Sequence, residues 1–202
     1  MAVMAQTFSA AYEAANSSPA RVRATPADAF RAARKAWLTG DRLDMAALAA
    51  SLGISRPTLY KWCGDREQLL TDIIWSITES TFDRALSDTA RLRGTERVLA
   101  VSRHFLSVLA ASTALRAYVR NETHAAIRLL TTRGGFQDRL VGKVAAFLTE
   151  EVALGNLALN GDVQLVAYAI VRVSEGSFYN DAIAAVDPRL DEAVDIVQLI
   201  VT

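Results

Sequence analysis

The chain has 202 residues, of which 51% are hydrophobic, 22% charged and 7% aromatic, with four prolines and ten glycines. This leaves room for one ordinary domain, or a small one joined to a medium one, and excludes disordered, collagen-like and low-complexity classes. Twenty-two basic residues balance twenty-two acidic ones, and the single Cys63 cannot close an internal disulfide, so nothing points to an oxidising compartment.

In the apolar middle the longest uncharged stretch, His104 to Leu115, is twelve residues and includes Ser107, Ser112 and Thr113. A span needs about 20 apolar residues, so no membrane segment is expected. Glu13 sits where the apolar region of a secretion signal would lie, which points to a cytoplasmic protein.

Residues 1–24 are rich in Ala and Ser and read as a tail. Thr25-Pro26 predicts a helix start, with Phe30, Ala33 and Trp37 on one face and Gly40 as the stop. Asp44 caps a second short helix carrying Met45, Leu48, Ala49 and Leu52, which Gly53 closes. Ser55 caps a third, through Thr58, Leu59, Tyr60, Lys61 and Trp62, which ends at Gly64. Asp65 opens a fourth, with Gln68 in a capping-box position and Leu69, Leu70, Ile73, Ile74 and Ile77 as its apolar face. Helical periodicity then recurs over Leu99–Leu109, Leu115–Leu130, Leu140–Val152, Val163–Ile183 and Leu190–Val201. The breaks fall at Gly94, Gly134-Gly135, Gly155, Asn160-Gly161-Asp162 and Asp187-Pro188. The expected fold is all-α, with a tail at 1–24, a helix-turn-helix domain at 25–68 and a helical bundle at 69–202.

Zero net charge hides an asymmetry. Between Ala20 and Arg66 nine basic residues face four acidic ones, a local +5 that leaves −5 elsewhere. Such a basic module on an acidic chain is the footprint of one part that meets phosphate. The same quarter holds two short helices joined by Leu52-Gly53-Ile54-Ser55, where Gly53 can supply a positive φ and Ile54 is placed to pack between the helices. A helix-turn-helix lays its second helix in the major groove, where each base pair shows a distinct donor and acceptor pattern. Arg56 suits a bidentate guanine contact. Ser55 and Thr58 suit a base or phosphate, Lys61 supplies a mobile charge, and Tyr60 and Trp62 offer O–H and N–H groups to phosphate. Arg66, in the first turn of the next helix, sits where free N–H groups already favour an anion.

Ala47 to Leu70, ALAASLGISRPTLYKWCGDREQLL, resembles the N-terminal domain of the TetR family of bacterial repressors. Two departures stand out. Trp62-Cys63 replaces the usual His-Phe, which leaves less core filling at Cys63, and Arg66 replaces the usual Lys. The segments 120–131, RNETHAAIRLLT, and 170–181, IVRVSEGSFYND, are similar to the QsdR-like branch of that family, regulators of lactone-degrading genes. The resemblance implies a double-stranded palindromic operator, a homodimer, a small-molecule effector and no cofactor or catalytic activity.

The bundle has material for both remaining roles. Leu190, Ala193, Val194, Val197 and Val201 form one apolar stripe, widened by Ile196 and Ile200, which a dimer contact would bury; the alternative is a helix fully buried within a monomeric bundle. Tyr168, Arg172, Glu175 and Tyr179 recur at i, i+4, i+7 and i+11, on one helical face. Arg172 and Glu175 interrupt an apolar run, so they pair with each other and with groups such as Glu122 or Arg128, or they orient a polar ligand head. With Phe105, Tyr118, Phe136, Phe147 and Phe178 they describe an apolar pocket with a few polar groups, suited to an acyl chain with a carbonyl-bearing head such as a lactone. The fourth helix runs in one pattern from the basic module into the bundle, which suggests a rigid-body swing on ligand binding. Two other classes compete: a small-molecule or helical interaction protein that no longer binds DNA, and an enzyme using Glu175 or His124 as a base. No catalytic or zinc spacing supports the last, and Cys63 reads as a structural thiol rather than a redox sensor.

Overall fold

A computed structural model describes residues 24–132, 135–184 and 189–202, so the tail and the predicted breaks at Gly134 and Asp187-Pro188 lie outside the described residues. Among these there are ten helices and no strand, an all-α fold. Helix α1 spans Pro26–Leu38, α2 Met45–Leu52, α3 Arg56–Cys63 and α4 Arg66–Asp88. Then follow α5 Gly94–Ala111, α6 Thr113–Asn121, α7 Thr123–Thr131, α8 Phe136–Ala153, α9 Val163–Ala184 and α10 Leu190–Val201.

The first four helices begin where local chemistry dictates. The Thr25 hydroxyl accepts from the Asp28 N–H at 3.2 Å while the Asp28 carboxylate accepts from the Thr25 N–H at 2.9 Å, a complete capping box ahead of Pro26. Asp44 accepts from the Ala46 and Ala47 N–H groups, and Ser55 from that of Thr58. Asp65 caps α4 through the Gln68 N–H at 2.8 Å, but Gln68 turns its side chain to Asp72, so the expected box is not closed there. Gly53 adopts φ +65°, and the Gly53 and Ile54 N–H groups reach back to the carbonyls of Ala50 and Ala49. This left-handed cap turns the chain sharply enough for Ser55, two residues later, to cap α3.

Helices α2 and α3 pack on α1, and α4 runs on from this trio to lie against α5 and α8. On α1 the buried residues are Ala29, Ala33 and Trp37, with Phe30 only partly covered. Helix α9 lies along α8, and α10 along α5 and α9. One continuous core runs from Ala29 through Leu59, Ile73, Phe105 and Leu148 to Val201.

Two expectations need correction. The periodic stretch Leu115–Leu130 is two helices, because Glu122 leaves helical geometry at φ −129° and ψ 43° and the Thr123 hydroxyl takes up the Val119 carbonyl at 2.8 Å. The α10 stripe is consumed within the chain: Ala193, Val194, Val197 and Val201 are buried in the protein's own core. What α10 leaves outside is Ile196 and Leu199, 42% and 79% exposed, and α9 adds Leu165 and Tyr168 at 64% and 44%. Among the described residues no single helix is long and apolar enough to cross a membrane.

Candidate nucleic-acid interface and effector site

Helix α3 is anchored by Leu59, its one fully buried side chain, which leaves the opposite face free. Lys61 stands exposed on that face, and Ser55, Arg56 and Tyr60 are exposed at the N-terminus and along the flank of the helix. Thr58 is half-buried, its hydroxyl 2.8 Å from that of Ser55, so both oxygens already serve the cap. Trp62 is not an exposed aromatic as expected. It is half-buried and packs against the core beside Cys63, which fits the smaller residue at 63. Burial, with the Asp72 carboxylate nearby, pushes the Cys63 thiol up from its ordinary range, as befits a structural cysteine.

Arg66 is also placed differently from its expectation. Its guanidinium makes two bonds to the Glu122 carboxylate, at 2.8 and 2.7 Å, and a third to the Leu43 carbonyl at 2.9 Å. The fork–fork pair and the Nε–H bond to Leu43 engage all three nitrogens of the guanidinium, the donors a phosphate would need. Arg128 likewise closes on Glu67, at 3.0 and 2.8 Å. Two ion pairs therefore tie the first turn of α4, directly after the recognition helix, to the α6–α7 corner. Arg66, Glu122, Tyr118, Arg42 and Trp37 line a cleft of about 310 Å³ at this seam. Burial pushes the Tyr118 hydroxyl up to about 12.

The Arg66 hydrogen bonds hold the Glu122 carboxyl below its ordinary value of 4.5. A carboxylate with a depressed folded pKa contributes stability that is present above the unfolded value and is lost as pH falls through the folded one. The melting temperature of Glu122→Gln is therefore expected below that of the wild type at pH 7, with the gap closing as pH falls beneath 4.5. A gap that stays constant down to pH 3 would contradict this pairing.

The aromatic residues expected at the effector site divide into two groups. Phe105 and Phe147 line a cavity of about 30 Å³ with Val98, Ser102 and Leu148. Phe105 also lines a second, of about 40 Å³, with Phe136, Glu175, Phe178 and Tyr179. Phe105, Leu140 and Ser174 stand between the two. Tyr118, Glu122 and Arg128, expected in the same pocket, lie at the seam or on the surface instead. Arg172 is 40% exposed and reaches inward to Glu175 at 2.8 Å. Tyr168 faces solvent, because the face shared by 168, 172, 175 and 179 rolls from outside to inside along α9. Burial pushes the Glu175 carboxyl up, opposed by Arg172 and Gln137, and it also pushes up the Tyr179 hydroxyl. Sequence reasoning missed Ser102, Gln137, Leu140 and Ser174; polar residues within the apolar runs of α5, α8 and α9 were the available signal.

A capped helix-turn-helix joined through one long helix to a helical bundle is the architecture of a DNA-binding regulator. Residues 93–202 match the family described as tetracycline repressor-like, C-terminal domain. The chain belongs to the TetR family, and is a transcriptional regulator rather than an enzyme. It is similar to the Rhodococcus erythropolis TetR-family repressor QsdR, at 28% identity over 87% of this chain and 93% of that one, with a TM-score of 0.78. It shares its fold with FadR of Bacillus subtilis, solved with stearoyl-CoA, at 17% identity over 86% and 96% of the two chains and a TM-score of 0.54. It shares it too with AlkX of Dietzia, implicated in n-alkane biodegradation, at 20% identity over 89% and 99% and a TM-score of 0.57. No sequence among curated proteins matches.

Proposed function

We propose that the protein is a homodimeric repressor released from a palindromic operator by a small apolar effector with a polar head, of which an acyl lactone is the first candidate. Its domains divide at the start of α4, with 25–68 for DNA and 69–202 for effector and dimer. Ser55, Arg56, Thr58, Tyr60 and Lys61 meet DNA, with Arg56 reading a base and the others on phosphate or sugar. Phe105, Phe147, Glu175, Phe178 and Tyr179 hold the effector. The dimer forms through the outer faces of α9 and α10, where Leu165, Tyr168, Ile196 and Leu199 are exposed.

The observation that carries this reading is the pair of cavities divided by Phe105, Leu140 and Ser174. At about 30 and 40 Å³ each holds a few waters at most, whereas a ligand site runs to about 300 Å³ or more. An effector must part the helices to enter, and that strain is its differential affinity for a second state. A groove of about 350 Å³ shares Ile74, Thr78, Leu109 and Leu115 with the inner cavity and ends on Trp37 and Leu38 of α1. It offers a route inward. The Arg66–Glu122 and Arg128–Glu67 pairs carry the resulting motion of α6 and α7 to the end of α3. The lactone head rests on the resemblance of segments 120–131 and 170–181 to lactone-responsive regulators.

Filling the divide tests this. Ser174→Leu is expected to bind operator DNA as the wild type does, while needing at least about tenfold more effector for half-release. Release at an unchanged effector concentration, in a variant of normal melting temperature, would place the effector elsewhere.

A further inference from the structure

One carboxylate oxygen at the inner cavity stands out among the described residues. Glu175 is 6% exposed, and its Oε2 accepts from Arg172 Nη1 at 2.8 Å and from Gln137 Nε2 at 3.2 Å. Its Oε1 is buried and has no hydrogen-bond partner among the described residues. Gln137 is itself buried, at 4% exposure, so this polar pair is built into the bundle interior. The rest of the cavity wall is mostly apolar, with Phe178, Leu109 and Leu130 among its residues and hydroxyl groups only on Thr78, Ser174 and Tyr179. A buried acceptor left unmade is costly, and native proteins carry few of them. Both protein donors converge on Oε2, so Oε1 is the oxygen left for an incoming molecule.

We propose that the effector is an uncharged amphiphile whose head gives a single hydrogen bond, from an amide N–H beside an acyl chain, to Glu175 Oε1. This deepens the effector reading above and rests on it. A carboxylate head is disfavoured because it would set like charge against Glu175, whose Arg172 partner is already engaged. An ammonium head brings three donors and a full charge to one free oxygen in a mostly apolar wall, and so is costlier to desolvate than a neutral amide. A secondary amide presents one donor, and its acyl chain matches the aromatic and aliphatic walls.

The test compares four probes by calorimetry on the full-length wild-type protein: N-octanoyl-homoserine lactone, the same molecule with an ester oxygen in place of the amide N–H, octanoate and octylamine. The amide is expected to bind at least about tenfold tighter than the isosteric ester, with octanoate and octylamine weaker than either. In Glu175→Gln the side-chain oxygen must face Arg172 and Gln137, which turns its NH₂ toward the cavity. The amide preference then falls to about twofold or less, with ester binding retained. Equal binding of amide and ester by the wild type, or a tenfold preference that survives in Glu175→Gln, overturns the proposal and leaves an acyl effector standing. Binding of none of the four overturns both.

Discussion

Replacing Arg56 and Tyr60 together by alanine is expected to weaken operator binding by at least about 100-fold while leaving the melting temperature within about 2 °C of the wild type. Both side chains are exposed on α3, and changes at such positions shift stability by about 0.5 kcal/mol or less. An arginine bidentate to a guanine is worth about 1–3 kcal/mol of discrimination, and a dimer loses it at both half-sites. Lys61→Ala makes the informative contrast. A phosphate contact weakens all sequences alike and lowers the salt slope by about one per contact, whereas loss of Arg56 relaxes sequence preference. Electrophoretic shifts against the operator and a scrambled duplex separate the two. Undiminished operator binding by the double variant would mean that α3 does not read DNA.

The largest stability effect is expected where α5 begins against the end of α8, behind the Phe147 wall of the effector site. Glu151 is fully buried and accepts three hydrogen bonds: from the Gly94 N–H and Arg97 Nη1, both at 2.7 Å, and from Asn156 Nδ2 at 3.3 Å. Burial pushes its carboxyl up, but these donors outweigh that and hold it below its ordinary value. The Arg97 side chain is 12% exposed and lies over the Phe147 ring. Glu151→Ala strands that cation and is expected to cost about 3–5 kcal/mol, roughly 6–20 °C in melting temperature. Gly94 tests the same junction from the other side. It holds φ +56°, and a Cβ there would sit 2.2 Å from the Asn156 carbonyl oxygen. Gly94→Ala is expected to cost about 3 kcal/mol through the close approach and the left-handed backbone together. Thermal unfolding followed by circular dichroism measures both, and a shift under about 3 °C in either would contradict this account of the junction. Because Phe147 lines the cavity it shares with Val98 and Phe105, this junction also braces one wall of the effector site.

The helix-turn-helix was legible because its signals are local. Thr25, Asp44, Ser55 and Asp65 each cap the helix that follows within three residues, and Gly53 marks its turn by a backbone requirement that few other residues meet. The effector site was legible only in part. Periodicity assigns a residue to a face of its own helix but does not say which helix lies opposite. Phe105, Glu175 and Phe178 do meet, whereas Glu122 and Arg128 are taken by Arg66 and Glu67, 56 and 61 residues away in the chain. The α10 stripe shows the same limit, since an apolar face is visible in sequence and the surface that covers it is not. Gly94 was read as a break, and its contact with Glu151 likewise depends on a residue 57 positions on.

Fluorescence anisotropy on DNA from the gene's own upstream region, over a salt series with and without an acyl lactone, tests the central claim most directly. Repression relieved by an effector predicts tight binding that falls steeply with salt and is weakened by the lactone at every salt concentration. Binding no stronger than to a random duplex at low salt, with dimers confirmed, would contradict it.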